Sequence, residues 1–302
     1  MNSSFLRFSD IEPASIEKLV RRAVAIKAGD HGTPLSGKHA VLLFEKPSLR
    51  TKLSFWVGFE KLGGKPVYFG PEEVGVGKRE PVSDVAKVVS RMADVAIIRT
   101  FSQSVLDEFA AAGSIPVVNA LSDYEHPCQA LADVQTIFEH KGKLKGVRVA
   151  YIGDGNNVAR SLAYAVAGSG GSFVCASPAG YELTGSDLSD ATDYGSAAGG
   201  SVDQVTAPAD AVRNADIVYT DVWASMGQES EAAERARAFD GYQVNPALMA
   251  KAGPGASFMH DMPAHPGEEV SVGMLEHSSS IAFDQAGNRL WAQAALVESL
   301  LQ

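Results

Sequence analysis

The sequence predicts an α/β protein made of two doubly wound parallel-sheet domains joined by interdomain helices. Apolar runs of strand length alternate with helical stretches along nearly the whole chain, the pattern of parallel strands with helical crossovers. With 302 residues there is enough chain for two domains, each with its own core. A short charged, glycine-bearing link, Lys141-Gly142-Lys143-Leu144-Lys145-Gly146, separates two such series.

In chain order, a helix over 12–28 leads to a strand at 40–44, where Val41-Leu42-Leu43-Phe44 is a continuous apolar run. Lys52-Leu53-Ser54-Phe55-Trp56 opens the next helix, over 51–62. Strands at 66–69, 94–98 and 115–118 follow, with helices at 82–92 and 103–112. Pro127 suits a first helical turn and starts a helix over 127–140. Beyond the link, strands at 147–152, 172–176, 216–220 and 256–259 interleave with helices at 157–168, 208–213 and 245–250. Residues 180–210, rich in Gly, Ser, Asp and Ala, read as a variable surface stretch with a poor helix at most. The last helix, 285–301, carries Leu290, Ala294, Val297 and Leu301 at helical spacing and is expected to return to the first domain. The expected division is 1–140 with 285–302, and 141–284.

The bulk numbers exclude several classes. Hydrophobic content of 45% and charged content of 21% are ordinary for a globular protein. A formal net charge of −10 argues against a nucleic-acid or anionic-membrane partner, while leaving room for a local basic pocket. The two cysteines, Cys128 and Cys175, form neither a metal-ligand pattern nor a disulfide framework. No apolar run reaches the roughly 18 residues of a spanning helix, and the N-terminus lacks the layout of a secretory leader. The cytoplasm is therefore the expected compartment.

The segment Phe44-Glu45-Lys46-Pro47-Ser48-Leu49-Arg50-Thr51-Lys52 joins a strand to a helix through two hydroxyls and several cations. Helix N-termini present N–H groups and a positive dipole end, so such a joint suits an anion. Arg50 adds a planar fork for a phosphate. Taken alone, a Ser48 cap with solvated cations accounts for it equally well. Arg99-Thr100 ends another strand, and His126-Pro127-Cys128-Gln129 follows a third and opens a helix. Ligands of open parallel sheets sit beyond the carboxyl ends of strands. One shared anion site explains three convergent strand ends better than three unrelated surface features.

In the second half, Gly153-Asp154-Gly155-Asn156-Asn157-Val158 invites a dinucleotide reading. Val158 stands where the third glycine belongs, and no acid ends the next strand, which disfavours a nicotinamide oxidoreductase. Asn156 and Asn157 instead offer amide donors to a carboxylate. Asp221, at a strand end, suits a substrate ammonium, and Gly227 gives the following loop freedom to act as a lid. Phe258-Met259-His260-Asp261-Met262-Pro263-Ala264-His265 ends a further strand, with an X–Pro bond suited to a cis form.

In this order, the motifs resemble the aspartate/ornithine carbamoyltransferase family over essentially the whole chain. The family's phosphate motif, Ser-Thr-Arg-Thr-Arg, stands here as Ser48-Leu49-Arg50-Thr51-Lys52, and its His-Pro-x-Gln as His126 to Gln129. Asn156-Asn157, Asp221, Ser225-Met226-Gly227 and Arg289 match its ornithine-specific members. The resemblance implies transfer of a carbamoyl group from carbamoyl phosphate to the δ-amine of L-ornithine, in arginine biosynthesis, with no metal or organic cofactor. It implies a carbamoyl-phosphate site of Ser48, Leu49, Arg50, Thr51, Arg99, His126, Gln129 and Arg289. Asn157, Asp221, Ser225, Met226, Asp261 and Met262 would bind ornithine. Arg50, Arg99, His126, Gln129 and Asp261 would carry the catalysis. A homotrimer is implied, each site completed by a neighbour's loop near residues 71–80.

Five positions depart from the family pattern. Asp261 and Met262 stand in a motif that is otherwise His-Cys-Leu-Pro. A carboxylate there would hold an ammonium more tightly and oppose its deprotonation, or serve as a base if burial raises its pKa. Leu49 replaces a threonine, Lys52 an arginine fork, and Gly75 a glutamine of the intersubunit loop. Asp261 and Met262 keep open a carbamoyltransferase for another amine, such as a modified ornithine or lysine. A non-catalytic anion-binding paralogue is the reading from a different class.

Overall fold

The computed structural model describes residues 4–302 except positions 76, 78 and 226. The chain forms two compact units, one running to Gln135 and resuming at Gly287–Gln302, the other Thr136–Ala286. The first unit contains α1 (Pro13–Lys27), β1 (His39–Phe44), α2 (Leu49–Lys61), β2 (Lys65–Phe69), α3 (Pro71–Val74), α4 (Val82–Val89), β3 (Val95–Arg99), α5 (Gln103–Ala112) and β4 (Val117–Leu121). Helix α6 (Pro127–Lys141) carries the chain into the second unit.

The strands of the first unit form a wholly parallel sheet in the order β2-β1-β3-β4. β1 lies between β2 and β3, with Val41 opposite Val67 on one side and Ala96 on the other. β3 is buried along its whole length, which is why its sequence, Val-Ala-Ile-Ile-Arg, reads as a continuous apolar run. Val41, Leu43, Ala96, Ile98, Leu106 and Phe109 belong to one core cluster of this unit. The N-terminal segment adds a bridge from Phe5 to Val118.

The second unit contains β5 (Arg148–Ile152), α7 (Asn157–Gly168), β6 (Ser172–Ala176), α8 (Gly185–Ser196), β7 (Ser201–Val205), α9 (Pro208–Ala211), β8 (Ile217–Thr220), α10 (Ala232–Ala238), α11 (Pro246–Met249) and β9 (Ser257–His260). Helix α12 (Ala282–Leu301) begins here and ends in the first unit. Its close approach to α2 depends on Gly58, where an added Cβ would lie 3.2 Å from the Leu290 carbonyl oxygen and 3.6 Å from Ala294 Cβ. The second sheet is also parallel, in the order β7-β6-β5-β8-β9.

Residues 180–210 differ from the expected surface stretch. Thr184 caps α8 by accepting the Asp187 N–H, while Asp187 accepts the Thr184 N–H in return. β7 then pairs with β6 at the sheet edge. Ser201-Val202-Asp203-Gln204-Val205 is only partly buried, so it has no apolar run to reveal it. Among the described residues, no helix is long and apolar enough to cross a membrane.

In each sheet the strand order reverses beside a central strand, between β1 and β3 and between β5 and β8. Crevices for ligands form beyond the carboxyl ends of strands at such points. The loops after β1, β3, β5 and β8 leave those ends, and the His126 and Asp261 segments leave the neighbouring strands β4 and β9.

Candidate active site

In the first unit, Ser48 occupies the N-cap of α2 in extended conformation, and its Oγ accepts the Thr51 N–H at 3.3 Å. The same hydroxyl donates to Thr51 Oγ1 at 3.0 Å. Arg289 Nη2 also donates to Thr51 Oγ1, at 3.0 Å, and Arg289 Nη1 donates to Gln129 Oε1 at 2.7 Å. Gln129 Nε2 in turn donates to Asp133 Oδ1 at 2.9 Å. With its amide oriented to satisfy both ends, Gln293 accepts from Arg289 Nε and Nη2 at 3.0 Å and donates to Ser54 Oγ at 2.6 Å.

These bonds fix which hydrogens remain for a ligand. The Thr51 oxygen already accepts two bonds, so its own proton is the group left to donate. One hydrogen of the Gln129 amide goes to Asp133, and the second remains for a ligand. Helix geometry leaves the first N–H groups of α2 without intrahelical acceptors. Leu49 contributes there only through its backbone, because its side chain is 78% exposed.

Cations surround this ring. Arg99 closes β3, beside an irregularity in the pairing of β3 with β4, and is buried. The Thr100 hydroxyl donates to the Glu45 carboxylate. Lys46 is buried with its ammonium 4.6 Å from the Phe101 ring centroid. Burial, and next the Arg99 charge, bring its pKa down to about 8, against the opposing pull of Asp123 and Glu45. His126 is buried just before α6, its carbonyl accepting the N–H groups of Gln129 and Ala130. Burial, then the charges of Arg289, Arg99, Lys46 and Arg50, hold its pKa well below the usual histidine range. The imidazole is neutral at physiological pH, and four cations act on it. Lys52 takes a different place from the one its motif suggests, since its ammonium lies 3.5 Å from the Tyr68 ring centroid.

In the second unit, Asn156 follows β5 and Asp221 follows β8, at adjacent strand ends. Asn156 Nδ2 donates to Asp221 Oδ2 at 3.0 Å, and Asn156 Oδ1 caps α7 by accepting from Val158 N and Ala159 N. The oxygen and one amide hydrogen of Asn156 are engaged, so one N–H of the two is left for a substrate carboxylate. Asn157, the first residue of α7, keeps that expectation. Gly155 is a packing glycine: an added Cβ would lie 2.3 Å from Leu183 N and 2.5 Å from Glu182 C. That backbone contact explains the glycine without a dinucleotide.

Burial, then the charge of Asp261, raises the Asp221 pKa well above the ordinary carboxylate value, against the lowering effect of its bonds from Asn156 and the Val222 N–H. Asp261 and Met262 follow β9. Met262 is left-handed at φ 60° and its peptide to Pro263 is cis. Its N–H donates to His260 Nδ1 at 2.7 Å, which leaves the imidazole proton on Nε2, where it donates to Glu269 Oε1 at 3.0 Å. His260 and Glu269 are both fully buried. Ser225 donates its N–H to Gln228 Oε1 at 2.9 Å. Met226 lies outside the described residues, as does part of the loop near 71–80.

Sequence reasoning passed over Gln293, Glu269 and Arg235. Gln293 stands one helical turn after Arg289, a spacing readable in advance. Glu269 and Arg235 gave no signal, since their buried partners His260 and Asp154 lie on other segments. Among the described residues, one group has the spacing to hold a metal ion, His265, Glu268 and Glu269. Glu269 Oε1 is already engaged by His260 and the His265 N–H.

Comparison with known proteins agrees with this layout. The carbamoyl-phosphate-binding domain model of the aspartate/ornithine carbamoyltransferases matches residues 3–139, and the Asp/Orn-binding domain model matches 145–300. The chain belongs to the aspartate/ornithine carbamoyltransferase family. Within that family it is 46% identical over 301 residues to an ornithine carbamoyltransferase of Anoxybacillus flavithermus, covering 98% of this chain and 96% of the relative. A relative of the same name from Acidothermus cellulolyticus is 46% identical over 299 residues, covering 98% and 96%. Among solved structures, the ornithine carbamoyltransferase of Pyrococcus furiosus aligns with a TM-score of 0.93 at 41% identity, over 97% of this chain and 95% of that one.

Proposed function

We propose that this chain transfers the carbamoyl group of carbamoyl phosphate to the δ-amine of L-ornithine, giving L-citrulline and phosphate. The observation that carries the reading is the hydrogen-bonded series Ser48–Thr51–Arg289–Gln129, buried apart from the half-buried Ser48, with Arg50, Arg99 and Lys46 acting on His126 beside it. The family membership and the relatives' shared name support the same activity. Neither another amine nor a non-catalytic role gains support from those relatives.

In this reading the first unit binds carbamoyl phosphate. The backbone N–H groups at Ser48 and Leu49, with Arg50 and Arg99, hold the phosphate. Thr51, His126, Gln129 and Arg50 donate to the carbamoyl oxygen, and Arg289 holds Thr51 and Gln129 in place. A neutral His126 donates without adding a charge that would tighten the ground state alone. As the amine attacks the carbonyl carbon, negative charge grows on that oxygen and preorganised donors stabilise it. The carbon–oxygen bond to phosphate then breaks, its electron pair leaves with the phosphate, and the proton lost by the amine passes to that phosphate. In the second unit, Asn157 receives the α-carboxylate and Asp221 with Ser225 the α-ammonium, while Asp261 and Met262 face the side-chain amine. Removing Asp221 or Arg50 should therefore cripple different substrates.

Arginine biosynthesis is the proposed setting and the cytoplasm the proposed compartment. A homotrimer is proposed because α2 and β2 leave Leu49, Leu53, Val67 and Phe69 exposed, apolar surface for further copies to cover. The test is citrulline formation from carbamoyl phosphate and L-ornithine, with Arg50→Ala and Asp261→Cys alongside. Turnover by the natural chain, lost in Arg50→Ala, supports the reading. No turnover by the natural chain, or normal turnover by Arg50→Ala, overturns it.

A further inference from the structure

Arg235 belongs to none of the motifs above, and the reaction as derived makes no use of it. It is buried on α10 and reaches three places in the second unit. Its Nε donates to Glu231 Oε2 at 2.9 Å. Its Nη1 donates to Asp154 Oδ2 at 2.7 Å and to the Trp223 carbonyl oxygen at 2.9 Å. The guanidinium carbon lies 5.0 Å from the Tyr181 ring centroid.

The two distant partners are informative by position. Asp154 stands two residues before Asn156, and Trp223 two residues after Asp221. Asn156 and Asp221 are themselves joined by the 3.0 Å bond described above. A closed circuit results, from Asp154 through Asn156, Asp221 and Trp223 to Arg235 and back to Asp154. We propose that Arg235 is a positioning residue for the amino-acid substrate, tying the loops after β5 and β8 together so that Asp221 is held against Asn156. The proposal rests on the reading that Asp221 receives the substrate ammonium.

The chemistry requires arginine at this position. One guanidinium serves a carboxylate, a backbone carbonyl and a second carboxylate at once while lying near an aromatic ring. An ammonium on a flexible stem cannot keep that planar arrangement. Nor is stability alone a sufficient account of the pair, because desolvation of two buried charges offsets much of their attraction. Burial raises the Asp154 pKa even beside its cation, which is the mark of that cost. What the pair supplies is geometry at both strand ends.

The test compares the natural chain with Arg235→Lys and with Asp154→Asn, which retains side-chain shape. In each variant the KM for L-ornithine is expected to rise about tenfold or more, since displaced positioning groups act steeply on substrate alignment. The KM for carbamoyl phosphate should stay within about twofold, because its site draws on other residues. A crystal structure of either variant should show the Asn156–Asp221 bond lost or lengthened. An unchanged ornithine KM overturns the proposal, as does a parallel rise in both KM values with a falling Tm, which would mark a merely structural role. If the natural chain makes no citrulline, the substrate reading fails, and the crystallographic arm still decides the role of Arg235. Retention of the Asn156–Asp221 bond would then overturn it. Should Arg235→Lys fail to fold, Asp154→Asn decides.

Discussion

Arg289, near the middle of the last helix, donates to the hydroxyl of Thr51 at 3.0 Å, joining residues 238 positions apart. With Ser48 donating to the same oxygen, the Thr51 proton has one direction left. Replacing Thr51 by valine keeps the volume and removes that donor. The kcat/KM for carbamoyl phosphate should fall about 10²–10³-fold, the usual consequence of removing one oxyanion donor. Steady-state kinetics checks this, and near-normal kcat/KM would remove Thr51 from the chemistry.

Lys46 makes the phosphate site sensitive to pH. Its native pKa, lowered to about 8, lies in reach of ordinary assays. As pH climbs through 8 the native ammonium is lost, and phosphate affinity should fall with it. The stability effect has the opposite sign. Between about 8 and the ordinary 10.5 the unfolded chain binds a proton that the native chain does not, so stability should rise with pH across that window. Lys46→Met should remove both trends. Calorimetric titration with inorganic phosphate on either side of pH 8, on both proteins, separates this from the titration of phosphate itself. Identical pH dependence in the two proteins would refute the assignment.

Asp261 governs the acid side of the amine reaction. Asp221 must be ionised to hold an ammonium, and the Asp261 charge is the second cause that raises its pKa, after burial. Asp261→Asn removes that repulsion and lowers the Asp221 pKa part of the way, since burial persists. The acid limb of the kcat/KM profile for L-ornithine should therefore move to lower pH. Superimposable profiles for the natural and variant chains would show that the two carboxyls act independently.

What was legible in the sequence follows from burial. β3 and β5 are covered on both faces, so each announces itself as an unbroken apolar run. β7 sits at the sheet edge, half exposed, and its polar residues conceal it. Ser48, Arg99 and His126 were legible because each stands where an apolar run gives way to polar chemistry. Arg235 was not, because its meaning depends on Asp154, 81 positions away, and on the Trp223 carbonyl, which carries no sequence information. Lys52 shows the reverse failure: its motif suggested an anion ligand, and a nearby tyrosine ring holds it instead.

Gly155 provides a test of the reading that replaced the dinucleotide site. An added methyl group would meet backbone, 2.3 Å from Leu183 N and 2.8 Å from the Glu182 carbonyl oxygen, where no side-chain rotation gives relief. Gly155→Ala must displace either that strand of backbone or its own neighbour Asn156. A destabilisation of about 1–3 kcal/mol is expected from such overpacking, together with a raised KM for L-ornithine. Gly185→Ala is the matched control, because its Cβ would meet nothing within 4 Å and it begins helix α8. That change should be neutral or stabilise by up to about 1 kcal/mol through the unfolded chain. Thermal unfolding of both variants decides the matter: equal Tm values for Gly155→Ala and the natural chain would mean that backbone packing does not require this glycine.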